Sequence, residues 1–130
     1  MGMKLTENFD REEFECTDGS EMPIDVQLNI AELAVQLEII RAHFNKPVHI
    51  NSAYRSLEYN RSIGSNDSSQ HVLGRAADIT IKGVSPDDVA DAIEFLITTG
   101  MLKEGGVGRY NTFTHYDIRG ERARWNYKTL

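Results

Sequence analysis

Four histidines supply the imidazoles from which any metal or acid–base site in this chain must be built: His43, His49, His71 and His115. Two have ordinary structural settings, since His43 falls in a helical stretch and His49 inside an alternating, strand-like one. His71 differs. It closes a polar loop, and Gly74 and Asp78 follow it, so that a turn at the glycine brings the imidazole and the carboxylate towards one point. The pair alone fits polar side chains satisfied within a loop equally well. A catalytic zinc takes about three protein ligands from His, Asp, Glu or Cys and keeps one position open for water. His115 and Asp117, two residues apart in a strand-like run, share one strand face.

These residues need elements to carry them. Asn29 followed by Glu32 resembles a helix start, and Ile30, Leu33, Ala34, Leu37 and Ile40 recur at helical spacing towards Phe44, with Asn45 and Pro47 as the stop. Val48 to Ser52 alternates as a strand and delivers Arg55 to a loop. From Ser56 to Gln70 the chain is rich in Ser, Asn and Gly, which predicts a long connection, and long connections in small domains often carry function. Ala76 to Lys82 predicts a strand with Ala77, Ile79 and Ile81 on one face and Asp78 on the other. Ser85-Pro86-Asp87-Asp88 opens a second helix with the apolar stripe Val89, Ile93, Leu96 and Ile97, ended by Gly100. Gly105 to Tyr110 and Thr114 to Arg119 predict two short strands joined through Asn111-Thr112-Phe113. Helices and hairpins segregated in this way indicate an α+β fold.

Composition narrows the classes. A chain of 130 residues with 40% hydrophobic residues supports one domain, taken as residues 1–130. A net charge of −6, with 14 scattered Lys and Arg, leaves no basic footprint for nucleic acid. The single cysteine, Cys16, excludes an internal disulfide and reads as a buried thiol. No apolar run is long enough for a signal peptide or a membrane span, so the expectation is a protein made in the cytoplasm without its own export signal. Met1 to Thr6 nominally fits a myristoylation pattern, but Met-Gly before a second Met reads better as a cloning remnant.

Three stretches read together are more specific: Asn51-Ser52-Ala53-Tyr54-Arg55-Ser56, Ser69-Gln70-His71-Val72-Leu73-Gly74-Arg75-Ala76-Ala77-Asp78-Ile79, and Gly106-Val107-Gly108-Arg109-Tyr110 running into His115-Tyr116-Asp117-Ile118-Arg119. The chain resembles the D-alanyl-D-alanine carboxypeptidase family of zinc peptidases (the M15 type), which is also similar to the zinc domain of hedgehog proteins. The resemblance spans about Phe9 to Trp125 and rests on a Ser-x-His-x-x-Gly-x-Ala-x-Asp core filled by Ser69, His71, Gly74, Ala76 and Asp78. It implies a small α+β domain with a central antiparallel sheet flanked by helices, a Zn2+ ion held by His71, Asp78 and His115, and peptidoglycan stem peptides or cross-links as substrate. The expected activity is that of a DD-carboxypeptidase or an endolysin-type endopeptidase.

Around that metal, Arg55 is expected to bind a substrate carboxylate or stabilise an oxyanion, with a loop-bracing ion pair as the plain alternative. Ser69, Gln70 and Tyr110 are expected to contact substrate, with loop capping as the alternative for the first two. In several family members the general base is an acid three residues before the last zinc histidine or a histidine two before it. Here Thr112 and Phe113 stand at those positions. Asp117 then becomes the expected base, or else a carboxylate bracing a ligand or an arginine, and Glu104 is the fallback. The competing expectation is a zinc-binding interaction module that has lost turnover. A monomer is expected, and the lack of a leader or wall-binding module favours phage or prophage origin with action on the cell wall.

Overall fold

The structure, a computed structural model, describes residues 3–129; the pattern starting at Met1-Gly2 lies outside the described residues. A 3-10 turn, Arg11–Phe14, precedes a long helix, α1, Ile24–Phe44, which ends where Asn45 takes the left-handed conformation. Its buried stripe is Val26, Ile30, Leu33, Ala34, Leu37 and Ile40. The helix begins before the Asn29/Glu32 pair that resembles a start. Pro23 is its N-cap, the Asn29 amide donates to Leu73 O at 2.8 Å, and Glu32 accepts from Lys103. Those two residues serve tertiary contacts from the helix surface rather than a cap.

Strand β1 is His49–Ser52, and the loop after it is not wholly irregular. Ser56 caps a short helix, α2, Leu57–Ser62, its hydroxyl accepting from Tyr59 N at 3.1 Å. Strand β2, Ala76–Thr80, leads to α3, Pro86–Thr98, which Ser85 caps with Pro86 in the first turn, as the sequence predicts. Strands β3, Gly106–Arg109, and β4, Thr114–Asp117, form the expected hairpin. A further strand, β5, Ala123–Asn126, has no counterpart in the sequence reading. The sheet order is β1-β2-β4-β3-β5.

The sheet is therefore mixed rather than wholly antiparallel, because β5 joins β3 in parallel while the other pairings are antiparallel. A four-residue strand reading Ala-Arg-Trp-Asn has neither alternation nor a turn signal, so periodicity does not reveal it. One sheet face carries Ala77, Ile79, Val107 and Tyr116, all buried in the core with the stripes of α1 and α3. On the opposite face the register places Ser52 beside Asp78, Asp78 beside His115, His115 beside Gly108 and Gly108 beside Trp125. That row is where the chemistry lies.

Candidate metal centre

Asp78 and His115 face each other across β2 and β4, and His71 reaches them from the loop before β2. Two features hold the loop there. Arg55 N donates to His71 O at 3.0 Å, and Gly74 takes φ +74°, backed so closely onto α1 that a Cβ would come within 2.7 Å of Val26. Only glycine enters that conformation without strain. All three side chains are buried, and one ligand atom from each lies within 4.8 Å of the others.

The hydrogen bonds behind the imidazoles fix which nitrogens face inward. His71 Nδ1 is 2.7 Å from Ala53 O and His115 Nε2 is 2.7 Å from Asp117 Oδ2, both pure acceptors, so those nitrogens carry the hydrogens. The neutral rings then turn the lone pairs of His71 Nε2 and His115 Nδ1 towards Asp78 Oδ1, at 3.2 and 3.1 Å. Three electron-rich atoms facing one another repel unless a cation or an added proton lies between them. The donor set therefore fits a metal ion, held by two imidazole nitrogens and one carboxylate.

Electrostatics follow the same geometry. Burial works to raise the Asp78 pKa, but hydrogen bonds from His115 and His71 outweigh it and hold the carboxyl below the usual range. Burial lowers both imidazole pKa values and prevails at His71; at His115 the carboxylates of Asp117 and Asp78 reverse it. Arg55 adds a second hold on Asp78, its Nη2 lying 3.3 Å from Oδ2 while Nε donates to Ser52 Oγ at 3.2 Å. The triad lines a cleft of about 560 Å³ together with Arg55, Ser69, Gln70, Tyr110, Arg119 and Trp125.

The profile of the peptidase M15 family, described as Peptidase M15, matches residues 7–117, which include every residue of this triad. The chain belongs to the peptidase M15 family. No curated protein matches the chain. The M15 match stops before β5, so Trp125 stands outside it.

The structure separates the remaining candidates of this M15 chain. Ser69 Oγ accepts from His71 N at 3.2 Å, which braces the ligand loop. Gln70 Oε1 is buried without a hydrogen-bond partner among the described residues. Tyr110 stacks on Phe113 with ring centroids 4.3 Å apart, and its hydroxyl accepts from Trp125 Nε1 at 2.9 Å. Burial raises its pKa and the Asp78 charge adds to that, against the lowering effect of the Trp125 hydrogen bond. Thr112 is exposed, and Phe113 lines the cleft.

Asp117 lies behind His115, its side chain 0% exposed and away from the cleft. Besides His115 it accepts from Gly106 N at 2.8 Å, Arg119 N at 3.2 Å, Arg119 Nε at 2.9 Å and Arg119 Nη2 at 2.7 Å. Gly105 and Gly106 make that nest possible, because a Cβ on either would collide with Asp117. It thus stands behind the His115 imidazole and outside the cleft lining. Glu104 is paired with Arg124 at 2.9 Å and does not line the cleft.

Sequence reasoning passed over three residues of the site. Asn60, fully buried, accepts from Arg55 Nη1 at 3.4 Å and donates to Asn66 O at 2.8 Å, tying α2 to the site. Arg119 lines the cleft and stands 5.5 Å from the Trp125 ring. Trp125 lies across Gly108, where a Cβ would collide with the indole, and its ring is 4.8 Å from that of His115. The usable signal was the Gly106-x-Gly108 spacing, because bare glycines in a strand leave room for something to lie against them. The two other histidines are elsewhere: His43 packs against Phe44 and Phe95, and His49 is exposed on β1.

Proposed function

We propose that this chain is a zinc peptidase that hydrolyses amide bonds of bacterial peptidoglycan peptides, as a carboxypeptidase or an endopeptidase. The observation that carries the reading is the convergence of His71 Nε2, His115 Nδ1 and Asp78 at the wall of a cleft, each imidazole held from behind by an acceptor. Two nitrogens and one carboxylate suit zinc better than magnesium or calcium, which favour all-oxygen shells. Zinc bound there supplies Lewis acidity, polarising a peptide carbonyl and bringing the pKa of water towards 7.

The chain's own residues do the rest. Asp117 and Ala53 O hold the imidazoles in one tautomer, and Arg55 holds Asp78 by its outer oxygen. Arg55 and Arg119 bring two guanidinium groups to a cleft whose described lining has no carboxylate besides Asp78, which suits a substrate bearing a carboxylate. Gln70 lines the cleft beside His71, which supports its reading as a substrate contact. A helix long and apolar enough to cross a membrane is absent among the described residues.

A second reading, a zinc-binding interaction module with little or no turnover, is favoured by one observation. Among the described residues lining the cleft, the histidines and carboxylate are those of the triad itself, with Phe113 where a histidine base would stand. The two readings separate on purified peptidoglycan digested with and without a chelator, the released ends being identified by mass spectrometry. Chelator-sensitive release of new amino termini or free D-alanine is the expected result. No release at full zinc occupancy supports the interaction module instead.

A further inference from the structure

The hydroxyl of Tyr110 is fixed in a way that a substrate-packing role does not require. Trp125 Nε1 donates to it at 2.9 Å, and the indole packs so closely on Gly108 that a Cβ there would fall 2.3 Å from Nε1. Phe113 stacks on the Tyr110 ring, 4.3 Å away with planes 15° apart, and stops the phenol from swinging. A phenolic O–H lies near its ring plane, so with the indole N–H on one side the hydroxyl hydrogen takes the other. No acceptor among the described residues receives it, while Tyr110 lines the same cleft as the triad. A single indole separates the hydroxyl from the site: the Trp125 ring that donates to it is 4.8 Å from the imidazole of His115. The arrangement is a fixed donor awaiting an acceptor.

We propose that Tyr110 is a catalytic residue whose hydroxyl donates a hydrogen bond, keeping its proton, to the carbonyl oxygen of the scissile amide as that oxygen gains negative charge, with Trp125 as the positioning residue that turns the hydrogen into the cleft. The inference rests on the peptidase reading of the cleft and adds a role for its aromatic wall. Preorganised donors aimed at an oxygen that becomes charged act mainly on the transition state, so Tyr110 contributes to kcat more than to KM. Trp125 lies on β5, beyond the 7–117 segment matched by the family profile.

Tyr110→Phe keeps the ring and its stacking and removes the donor. With the zinc-loaded protein and a phosphinate analogue of D-alanyl-D-alanine, whose P–O⁻ stands in for the charged oxygen, calorimetry is expected to show affinity lower by about 10²- to 10³-fold in Tyr110→Phe. Zinc content stays at the wild-type value. Trp125→Phe weakens binding in the same direction, and the loss on adding Tyr110→Phe to it is smaller than in the wild type, because the hydroxyl is then no longer aimed. Where stem peptides are turned over, kcat falls by a similar factor and KM moves only a few-fold.

Equal affinity of wild type and Tyr110→Phe for the phosphinate, including no binding by either, overturns the inference even if hydrolysis of stem peptides persists. Strictly additive losses in the double variant overturn the part assigned to Trp125. A wild type that discriminates the phosphinate through Tyr110 yet cleaves no stem peptide keeps the donor in place and removes only the substrate assigned above.

Discussion

Replacing Asp117 by Asn tests the core of the site more sharply than deleting a ligand. Every partner of this carboxylate is a donor: Gly106 N, Arg119 N and Nε at Oδ1, and His115 Nε2 and Arg119 Nη2 at Oδ2. An amide has one oxygen, so whichever way it lies its NH2 confronts donors. With the nitrogen at the Oδ2 position, the bond to His115 is lost and the imidazole is free to take the other tautomer, which puts a hydrogen on the nitrogen facing Asp78. Loss of a partner of this kind typically lowers metal affinity by about 10- to 100-fold, or roughly 1.4 to 2.7 kcal/mol. One hydrogen bond to a charged group adds about 1.5–3 kcal/mol of folding stability to the loss, and Arg119, whose side chain is 29% exposed, rehydrates and adds little more. Competition with a chromophoric chelator gives the affinity, and turnover is read at limiting and at saturating zinc. The expected pattern is weakened zinc binding, a lower melting temperature and recovery of activity in excess zinc. Unchanged zinc affinity with activity lost at every zinc concentration would refute the bracing role and return Asp117 to the place of a general base.

Further outcomes follow from the same geometry. His71→Ala and Asp78→Ala are each expected to remove most of the metal from a protein that otherwise carries about one zinc per chain by elemental analysis, since two ligands bind weakly; full occupancy in both variants contradicts the site. Chelation lowers the melting temperature of the wild type by several degrees, because the ion joins the loop carrying His71 to two strands, and an unmoved transition after verified metal removal counts against that coupling. Arg55→Lys keeps the charge but cannot reach Ser52 Oγ, Asn60 and Asp78 together, so turnover drops while the fold survives; wild-type rates in this variant leave Arg55 as a loop brace. Gly108→Ala forces the indole of Trp125 off the sheet and is expected to shift tryptophan fluorescence and reduce turnover together, whereas an unchanged spectrum shows that the ring has room to give.

How legible each part was depends on whether its signal is local. The stripes of α1 and α3, the Ser85-Pro86 start and the alternation of β2 repeat at the period of their element, and they read directly. The start of α1 was displaced because Asn29 and Glu32 mimic a cap while serving Leu73 O and Lys103. The short helix α2 hides in a Ser- and Asn-rich stretch, held by the Ser56 cap and by Asn60, whose partners come from the loop around it. For the site, residue types and spacing nominated His71 and Asp78 but left them ambiguous, and the family pattern added His115. Asp117 keeps two roles in the sequence, which shows that it shares a strand face with His115 but not that Gly105 and Gly106 enclose it. Trp125 was invisible because its meaning is a contact across the sheet.

One register row explains why these residues need to be where they are. Ser52, Asp78, His115, Gly108 and Trp125 are successive cross-strand neighbours on one face. A slip of one residue in any strand would send its member of the row into the apolar core, so the packing that fixes the fold also fixes the site. Within that row Asp78 and His115, from adjacent strands, face each other directly, Ser52 holds Arg55 against Asp78 from one end, and the bare Gly108 lets the indole lie against His115 from the other. His71, on the loop, is the member of the triad not set by register, and its position depends instead on the Gly74 turn against α1 and on the Ala53 and Arg55 backbone. The site thus divides into a half set by sheet register and a half set by the loop before β2. Substitutions that loosen the loop, Gly74→Ala first among them, are therefore expected to reduce metal affinity while the sheet and its aromatic wall keep their native spectroscopic signature; a coincident loss of the Trp125 environment would show instead that the two halves fold as one.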